Sequence, residues 1–422
     1  MLRSRLVSAT YLAAIAFGAF WGTWGSAVPR VRDQAHLDDA ALGTALLFVS
    51  AGALPAMLLT GRALDRWGLR CTAYLIVALG GAGLAAALGG RGLVSLSAGL
   101  VAVGMASGAA DVAMNSVGGR AEQRTGRPII TRSGALFSVA VVVFSLFTGA
   151  AYALDASTWI PFAVVLLLSV VAGVAIHRAL TADAAGGTRD AAAGSAGGAG
   201  SASGADGGPG AESTGAGGLA ALRMPVVPLL VIGTLGALAF ASENAHQSWG
   251  AVFLEDVLDT GPGLSAIAPA AFAAVVALTR FAASTLDPAR ARVVLVLGAL
   301  AAAAGAVVVA RAPSVPVALA GLVIAAAGTA ALFPTLLSIV SRNVVESSRG
   351  RATSIVTVVS YLGFLLGPVY VGLWAAATDL RGAMIAIAAL GVALAVLTLP
   401  LLRLSRYAIA SPRAMSTTGH GR

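Results

Sequence analysis

The sequence is poor in what a soluble protein of its size needs. Only 11% of its 422 residues are charged, where a water-soluble domain carries about 25%. It has no lysine, so all 27 basic residues are arginines. A single cysteine, Cys71, excludes an intramolecular disulfide and says nothing about redox compartment. No Walker loop, zinc-ligand spacing, nucleophile elbow or dinucleotide-binding glycine pattern occurs, so no residue supports an ATP-driven pump or an enzyme, and no cofactor or metal is implied. What the chain has in excess is apolar surface. It is 58% hydrophobic with 52 glycines, its mean hydropathy is +0.88, and its apolar residues fall in blocks too long for the core helices of a globule. These absences and this excess together describe an all-α integral membrane protein.

A bilayer core of about 30 Å needs about 20 helical residues per crossing. Apolar blocks between arginine-bearing or turn-rich breaks predict twelve spans, near 8–29, 41–61, 71–89, 92–115, 134–153, 159–176, 225–248, 264–284, 293–311, 315–339, 354–376 and 383–402. The first begins after Arg3 and Arg5 and runs apolar to Pro29, longer than the apolar stretch of a signal peptide, which makes it an uncleaved span. Gly89 and Gly90 form the weakest of the breaks. With the N-terminus inside, 21 arginines fall on the cytoplasmic side, five outside (30, 32, 91, 311 and 381) and one, Arg280, within a span. This asymmetry puts both termini in the cytoplasm of a multi-pass protein of the cell (inner or plasma) membrane. It also accounts for the net charge of +9 without a nucleic-acid partner, because the arginines sit in short loops rather than on a soluble face.

Residues 179–222 hold 13 Gly, 15 Ala and 4 Ser in 44 positions, the composition of a disordered cytoplasmic linker. It separates an N-terminal six-helix bundle, residues 1–178, from a C-terminal one, 223–404, with a cytoplasmic tail at 405–422. The two halves carry matching marks. Glu122 to Arg127 and Glu346 to Arg351 both read Glu-x-x-x-Gly-Arg, and Asp65 has a counterpart in Asp287 at nearly the same offset. Two matches at nearly one offset indicate a six-plus-six duplication, the architecture of parallel halves that move about a central site.

The loop Gly61-Arg-Ala-Leu-Asp65-Arg66-Trp-Gly68-Leu-Arg70, between spans two and three, resembles the signature Gly-x-x-x-Asp-Arg-x-Gly-x-Arg of the major facilitator superfamily. Asp111-Val-Ala-Met-Asn115, Gly126-Arg127 and the stretch from Trp24 to Pro29 look like a bacterial inner-membrane branch distantly akin to fucose permease. The resemblance implies the major facilitator fold and secondary transport of a small molecule. The chain departs from the branch in two places. The equivalent second-half loop, from Arg280 to Asp287, lacks the Gly-Asp pair, and Gly134 stands where a histidine would open span five. The glycine-proline pattern of drug-proton antiporters is missing from span five. A related pattern, Gly363-x-x-x-Gly367-Pro368-x-x-x-Gly372, falls on span eleven. Physically, Gly61 and Gly68 let backbones approach, Asp65 can stabilise the positive N-terminus of a neighbouring helix, and Arg66 and Arg70 can pair with nearby acids, so that the set acts as a latch.

Ionisable residues at membrane depth are costly and mark function. Glu243 lies about 24 Å from the cytoplasmic face at 1.5 Å per residue, with His246 and Gln247 following at i+3 and i+4 on one face. That set, with Asp111, is the expected proton-coupling machinery. Asn115 sits one turn from Asp111, and Arg280, like Asp111 near the cytoplasmic end of its span, is the expected partner of Asp111 in a gate between the halves. Phe17, Phe20, Trp21 and Trp24 share a face of span one, and Trp21 and Phe17, with Gln247 and Asn115, are the candidate substrate contacts. Arg280 is the one basic residue within the spans, so a polyanionic substrate has few partners and a neutral or weakly charged solute fits better. The expected function is proton-coupled transport of a small organic solute by alternating access. Drug or metabolite efflux by proton antiport is the rival reading, and a non-transporting membrane receptor a remoter one. The expected partners are a small-molecule substrate, protons and the lipid bilayer, and the chain is taken as a monomer. Asp65→Asn is expected to abolish solute flux in vesicles while the amount of protein in the membrane stays unchanged; flux at the unmodified rate would refute the latch.

Overall fold

A computed structural model describes residues 2–197, 226–283, 290–345 and 348–407. Asp287, Glu346, the later part of the expected linker and nearly all of the tail lie outside the described residues. All of the described regular structure is helical: α1 (Leu2–Gln34), α2 (Asp39–Trp67), α3 (Cys71–Gly89), α4 (Leu93–Thr125), α5 (Ile129–Ala153), α6 (Trp159–Gly197), α7 (Val226–Leu258), α8 (Pro262–Ser265), α9 (Ile267–Ala283), α10 (Ala291–Arg311), α11 (Val315–Ala330), α12 (Leu332–Asn343), α13 (Arg349–Ala377) and α14 (Leu380–Ser405). They make twelve helical stretches long and apolar enough to cross a membrane, with α8 and α9 forming one span and α11 and α12 another. The glycine break after α3 is real. There Gln34 donates through Nε2 to the carbonyls of Ala87 at 2.8 Å and Gly90 at 3.0 Å, which satisfies groups left over at the helix end. Helix α6 continues to Gly197, well past the expected start of the linker, because its alanines favour helix more than the glycines among them oppose it.

Span ten departs from a single helix. It breaks at Ala331, between α11 and α12. Pro334 is the cause: it has no N–H to give the carbonyl of Ala330 one turn back, and its ring crowds that carbonyl. In α13, Pro368 likewise withholds a hydrogen bond from the carbonyl of Phe364, and there the helix runs on.

Packing repeats between the halves. In the first, α1 lies on α5 and α6, α2 on α4, and α3 on α4 and α6; in the second, α7 lies on α13 and α14, α9 on α11, and α10 on α11 and α14. Without a hydrophobic drive between helices in lipid, close approach through small residues does this work. A Cβ on Gly104 would land on the Val49 carbonyl of α2, and one on Gly363 on the Ala237 carbonyl of α7. Side-chain hydroxyls add cross-helix bonds at the same seams: Ser145 donates to the Gly22 carbonyl at 3.1 Å, and Ser360 to the Gly233 carbonyl at 3.3 Å.

The halves meet along two symmetry-related seams, α2 with α13 and α5 with α8 and α9. Twelve crossings put the start of α1 and the end of α14 on one face, here the terminal face; the closest contacts between the halves lie toward the other, the far face. Gly43 approaches Pro368 and Gly372, Gly149 approaches Ala266, and Gly25 faces Pro269. Arg32, at the end of α1, reaches Asp256 at the end of α7 through both terminal nitrogens, with Nη2 to Oδ1 at 2.8 Å. It also touches Asp39 at 3.4 Å and Asp33 at 3.3 Å. Arg32 and Asp256 are only 12% and 29% exposed, so this two-pronged pair is a structural tie rather than a screened surface contact.

Two predictions follow from the packing. Gly104→Ala and Gly363→Ala each lower stability by about 1–3 kcal/mol through overpacking, read as thermal unfolding in detergent, whereas Gly81→Ala, whose Cβ meets nothing within 4 Å, leaves the midpoint in place. Arg32→Gln removes charge-assisted bonds worth about 1.5–3 kcal/mol, so a cysteine at Val28 in a Cys71→Ser background reacts about tenfold faster with an impermeant maleimide supplied on the far face. Equal rates with and without Arg32 would show that the pair does not hold the seam.

Candidate functional site

Between the halves, on the terminal-face side of these seams, lies a cavity of about 370 Å³, at the small end of the range for ligand pockets. Both halves line it. The first contributes Phe17, Trp21 and Trp24 from α1, Asp111 from α4 and Phe137 from α5; the second contributes Phe240, Glu243, Asn244 and Gln247 from α7, Arg280 from α9, and Tyr361 and Phe364 from α13. Toward the terminal face the walls are uncovered. Asn115, one turn beyond Asp111, is exposed, and the Arg280 side chain is 44% exposed. The far face is shut by the contacts described above.

Glu243 lies near the middle of α7, because that helix runs 33 residues rather than a minimal span. Its partner is Arg280, whose Nη2 lies 2.9 Å from Glu243 Oε1. The same arginine donates through Nε to the Ala330 carbonyl at 3.1 Å, the acceptor that Pro334 leaves without its helical donor. Asn244 does the equivalent in α13, donating through Nδ2 to the Phe364 carbonyl at 2.8 Å, the acceptor that Pro368 leaves. Two prolines therefore expose two carbonyls at membrane depth, and two polar side chains of the cavity wall satisfy them. Gln247 adds a long contact to Glu243 Oε1 at 3.5 Å.

Three sequence-based expectations need correction. Arg280 forms no gate with Asp111, because Glu243 and the freed Ala330 carbonyl, both in its own half, hold the guanidinium. His246 is not in the cavity wall. Three residues of helix turn about 300°, and this rotates it away from Glu243 into the second half, where it is 1% exposed and stacked on Phe272 with ring centroids 5.9 Å apart. Its Nδ1 lies 2.7 Å from the Ser242 carbonyl, an acceptor only, so that nitrogen carries the proton. Phe20 leaves the face shared by Phe17, Trp21 and Trp24 and is buried against Gly83 of α3.

Asp111 faces the cavity with no cationic partner among the described residues; its Oδ1 accepts from Asn115 Nδ2 at 3.1 Å. Asn115 supports that carboxylate from the open side and lies outside the cavity wall. Phe17 and Trp21 line the cavity in an edge-on cluster with 6.4 Å between ring centroids, and Phe137 closes on Phe17 at 5.8 Å. The expected latch residues lie apart from the cavity at the terminal face: Gly61, Asp65 and Arg66 in the last turns of α2, Gly68 and Arg70 in the short connection to α3. Gly68 takes a positive φ of 74° there and ends α2 with its N–H on the Leu64 carbonyl. Gly61, Asp65, Arg66 and Arg70 are exposed in this conformation.

A search confined to ionisable groups within the spans overlooks Asn244, Tyr361 and the rings of the second half. Asn244 and Tyr361 were readable as polar residues in apolar blocks. The Arg32–Asp256 tie was not, since both residues fall at span ends, where charges are ordinary.

Comparison with known proteins agrees with this geometry. Residues 288–417 match the family model of the Major Facilitator Superfamily. An uncharacterized transporter of Sinorhizobium fredii is 26% identical over 366 residues, covering 86% of this chain and 89% of its own length. An uncharacterized MFS-type transporter of Yersinia pestis is also 26% identical, over 86% of this chain and 87% of its own. In fold, the nucleoside transporter NupG superposes with a TM-score of 0.70 at 13% identity, over 95% of this chain and all of the other. The inward-open xylose transporter XylE of E. coli superposes with a TM-score of 0.69 at 14% identity, over 97% of each. Fold, loop signature and relatives point the same way: the chain is similar to membrane transporters of the major facilitator superfamily.

Proposed function

We propose that this chain is a secondary active transporter that carries a small organic solute across the cell membrane by alternating access of its two six-helix bundles, residues 1–178 and 223–404, coupled to protons. One observation carries the reading: a solute-sized cavity is walled by both halves, shut toward the far face, and holds a carboxylate with no cationic partner among the described residues. The arginine-rich terminal face is the cytoplasmic one by the positive-inside rule, so this conformation faces inward. Transport then requires the far-face seams to part, with loss of the Arg32–Asp256 tie, while the terminal face closes. In the closed-inward state the Asp65 loop becomes the latch, which explains why Asp65 stands exposed here.

Within this scheme Asp111 is the proton carrier. A carboxylate with no counter-charge is neutralised on transit by a proton, whereas Glu243 already has Arg280 and serves as a fixed pair that sets the shape of the second-half wall. His246, sealed behind Phe272, has no route to the proton path. Neighbours in fold with known cargo, a nucleoside transporter and a D-xylose-proton symporter, are compatible with solute and proton sharing one cavity.

The test is accumulation of radiolabelled sugars, nucleosides, amino acids and organic cations in proteoliposomes under an imposed pH gradient. Asp111→Asn is expected to reduce gradient-driven flux at least a hundredfold and to leave the residual flux insensitive to pH. Glu243→Gln should lower turnover by freeing Arg280 but retain the pH dependence. Full gradient-driven flux in Asp111→Asn would remove it as the carrier.

A further inference from the structure

Among the described residues, the cavity wall carries three charged groups, Asp111, Glu243 and Arg280. Arg280 is committed twice, to Glu243 and to the Ala330 carbonyl. The wall is therefore left with one uncompensated negative charge, on Asp111, whose single hydrogen-bond donor is the neutral amide of Asn115. The rest of the lining is rich in rings. Phe17, Trp21 and Phe137 stand on the first half, and Phe240, Tyr361 and Phe364 on the second, with Phe240 edge-on to Tyr361 at 5.6 Å and to Phe364 at 6.4 Å. Ring faces carry negative potential and attract cations, most strongly where water is excluded.

We propose that this cavity is built for an organic monocation, with its ammonium against Asp111 and its apolar body among the rings of both halves. The proposal rests on the transporter reading above and names the substrate class of that same site. An anion meets an arginine already neutralised by Glu243 and a free carboxylate that repels it. A bare polyol would have to bury its hydroxyls against aromatic carbon, whereas a cation of modest size uses both the charge and the rings. The groups that face Asp111 are Asn115 on its own helix, Tyr361 from α13, and the Glu243–Arg280 pair on the opposite wall; none supplies a free positive charge. A proton and an ammonium therefore compete for one carboxylate, and a cycle in which each displaces the other is an exchange of cation for proton.

Trp21 and Trp24 in the wall make binding visible as a change in tryptophan emission. The full-length protein in detergent is titrated with benzyltrimethylammonium, benzyl alcohol and phenylacetate, which present one ring with a positive, neutral or negative head. The expected result is saturable binding of benzyltrimethylammonium, with the other two at least tenfold weaker. Asp111→Asn should weaken the cation at least tenfold and leave benzyl alcohol unchanged, while Asp111→Glu, which keeps the charge, should stay within a few-fold of the unmodified protein and so separates lost charge from lost folding. Equal or tighter binding of phenylacetate or benzyl alcohol, undiminished cation binding by Asp111→Asn, or no saturable response to any of the three overturns the proposal. The two readings fail separately. Flux of a sugar or nucleoside in proteoliposomes without cation binding overturns the monocation and leaves transport standing. Asp111-dependent cation binding without flux of any solute supports the site and overturns transport.

Discussion

The structure depends most on one rule of the bilayer: a backbone polar group at membrane depth has no water to turn to and must find its partner inside the protein. Helices obey it automatically, and prolines break it at specific places. Pro334 and Pro368 each leave a carbonyl without its helical donor, and the side chains that take up those carbonyls, Arg280 and Asn244, are cavity residues. Arg280 can hold Glu243 at 2.9 Å in a fixed pose because its Nε is already anchored on Ala330. The electrostatics of the second-half wall thus trace back to two missing N–H groups.

The same economy shapes the seams. Apolar side chains gain little by leaving lipid for each other, so the halves are held by what lipid does not offer: backbone-to-backbone contact at glycines and charged bonds near the membrane edge. On the far face both are present, in Gly43 against Pro368 and Gly372 and in Arg32 against Asp256. On the terminal face, glycines 61, 68, 126 and 134 have open space around them. A conformational cycle needs an interface whose strength sits in a few separable contacts, and this far-face closure has that form. The repeated packing of α1 on α5 and α7 on α13, with paired seams between the halves, gives the two faces related geometries.

Parts of the site were readable from particular residues. Asp111, Glu243 and Arg280 announced themselves because charge in an apolar block is expensive, and the ring of Trp21 with its neighbour Phe17 was found by helical spacing. What failed was partner choice. Arg280 was matched to Asp111 because both lie near the same membrane face, yet a guanidinium on a long stem goes to the nearest unsatisfied acceptors, which here lie in its own half. His246 was grouped with Glu243 by a spacing of three, but three residues and four residues fall on opposite sides of a helical row, and only the four-residue neighbour, Gln247, shares the wall.

The sequence by itself determined the number of spans, the repeat of six and six and the placement of the signature segment, because these rest on local hydropathy, composition and short spacing. Tertiary structure decided which charges are neutralised and which are not. That depends on the meeting of residues as far apart as Arg32 and Asp256 or Asn244 and Phe364, and on carbonyls freed by prolines in a neighbouring helix. Asp111 is distinctive because no cation among the described residues reaches it, and that becomes visible only once the helices around it are in place.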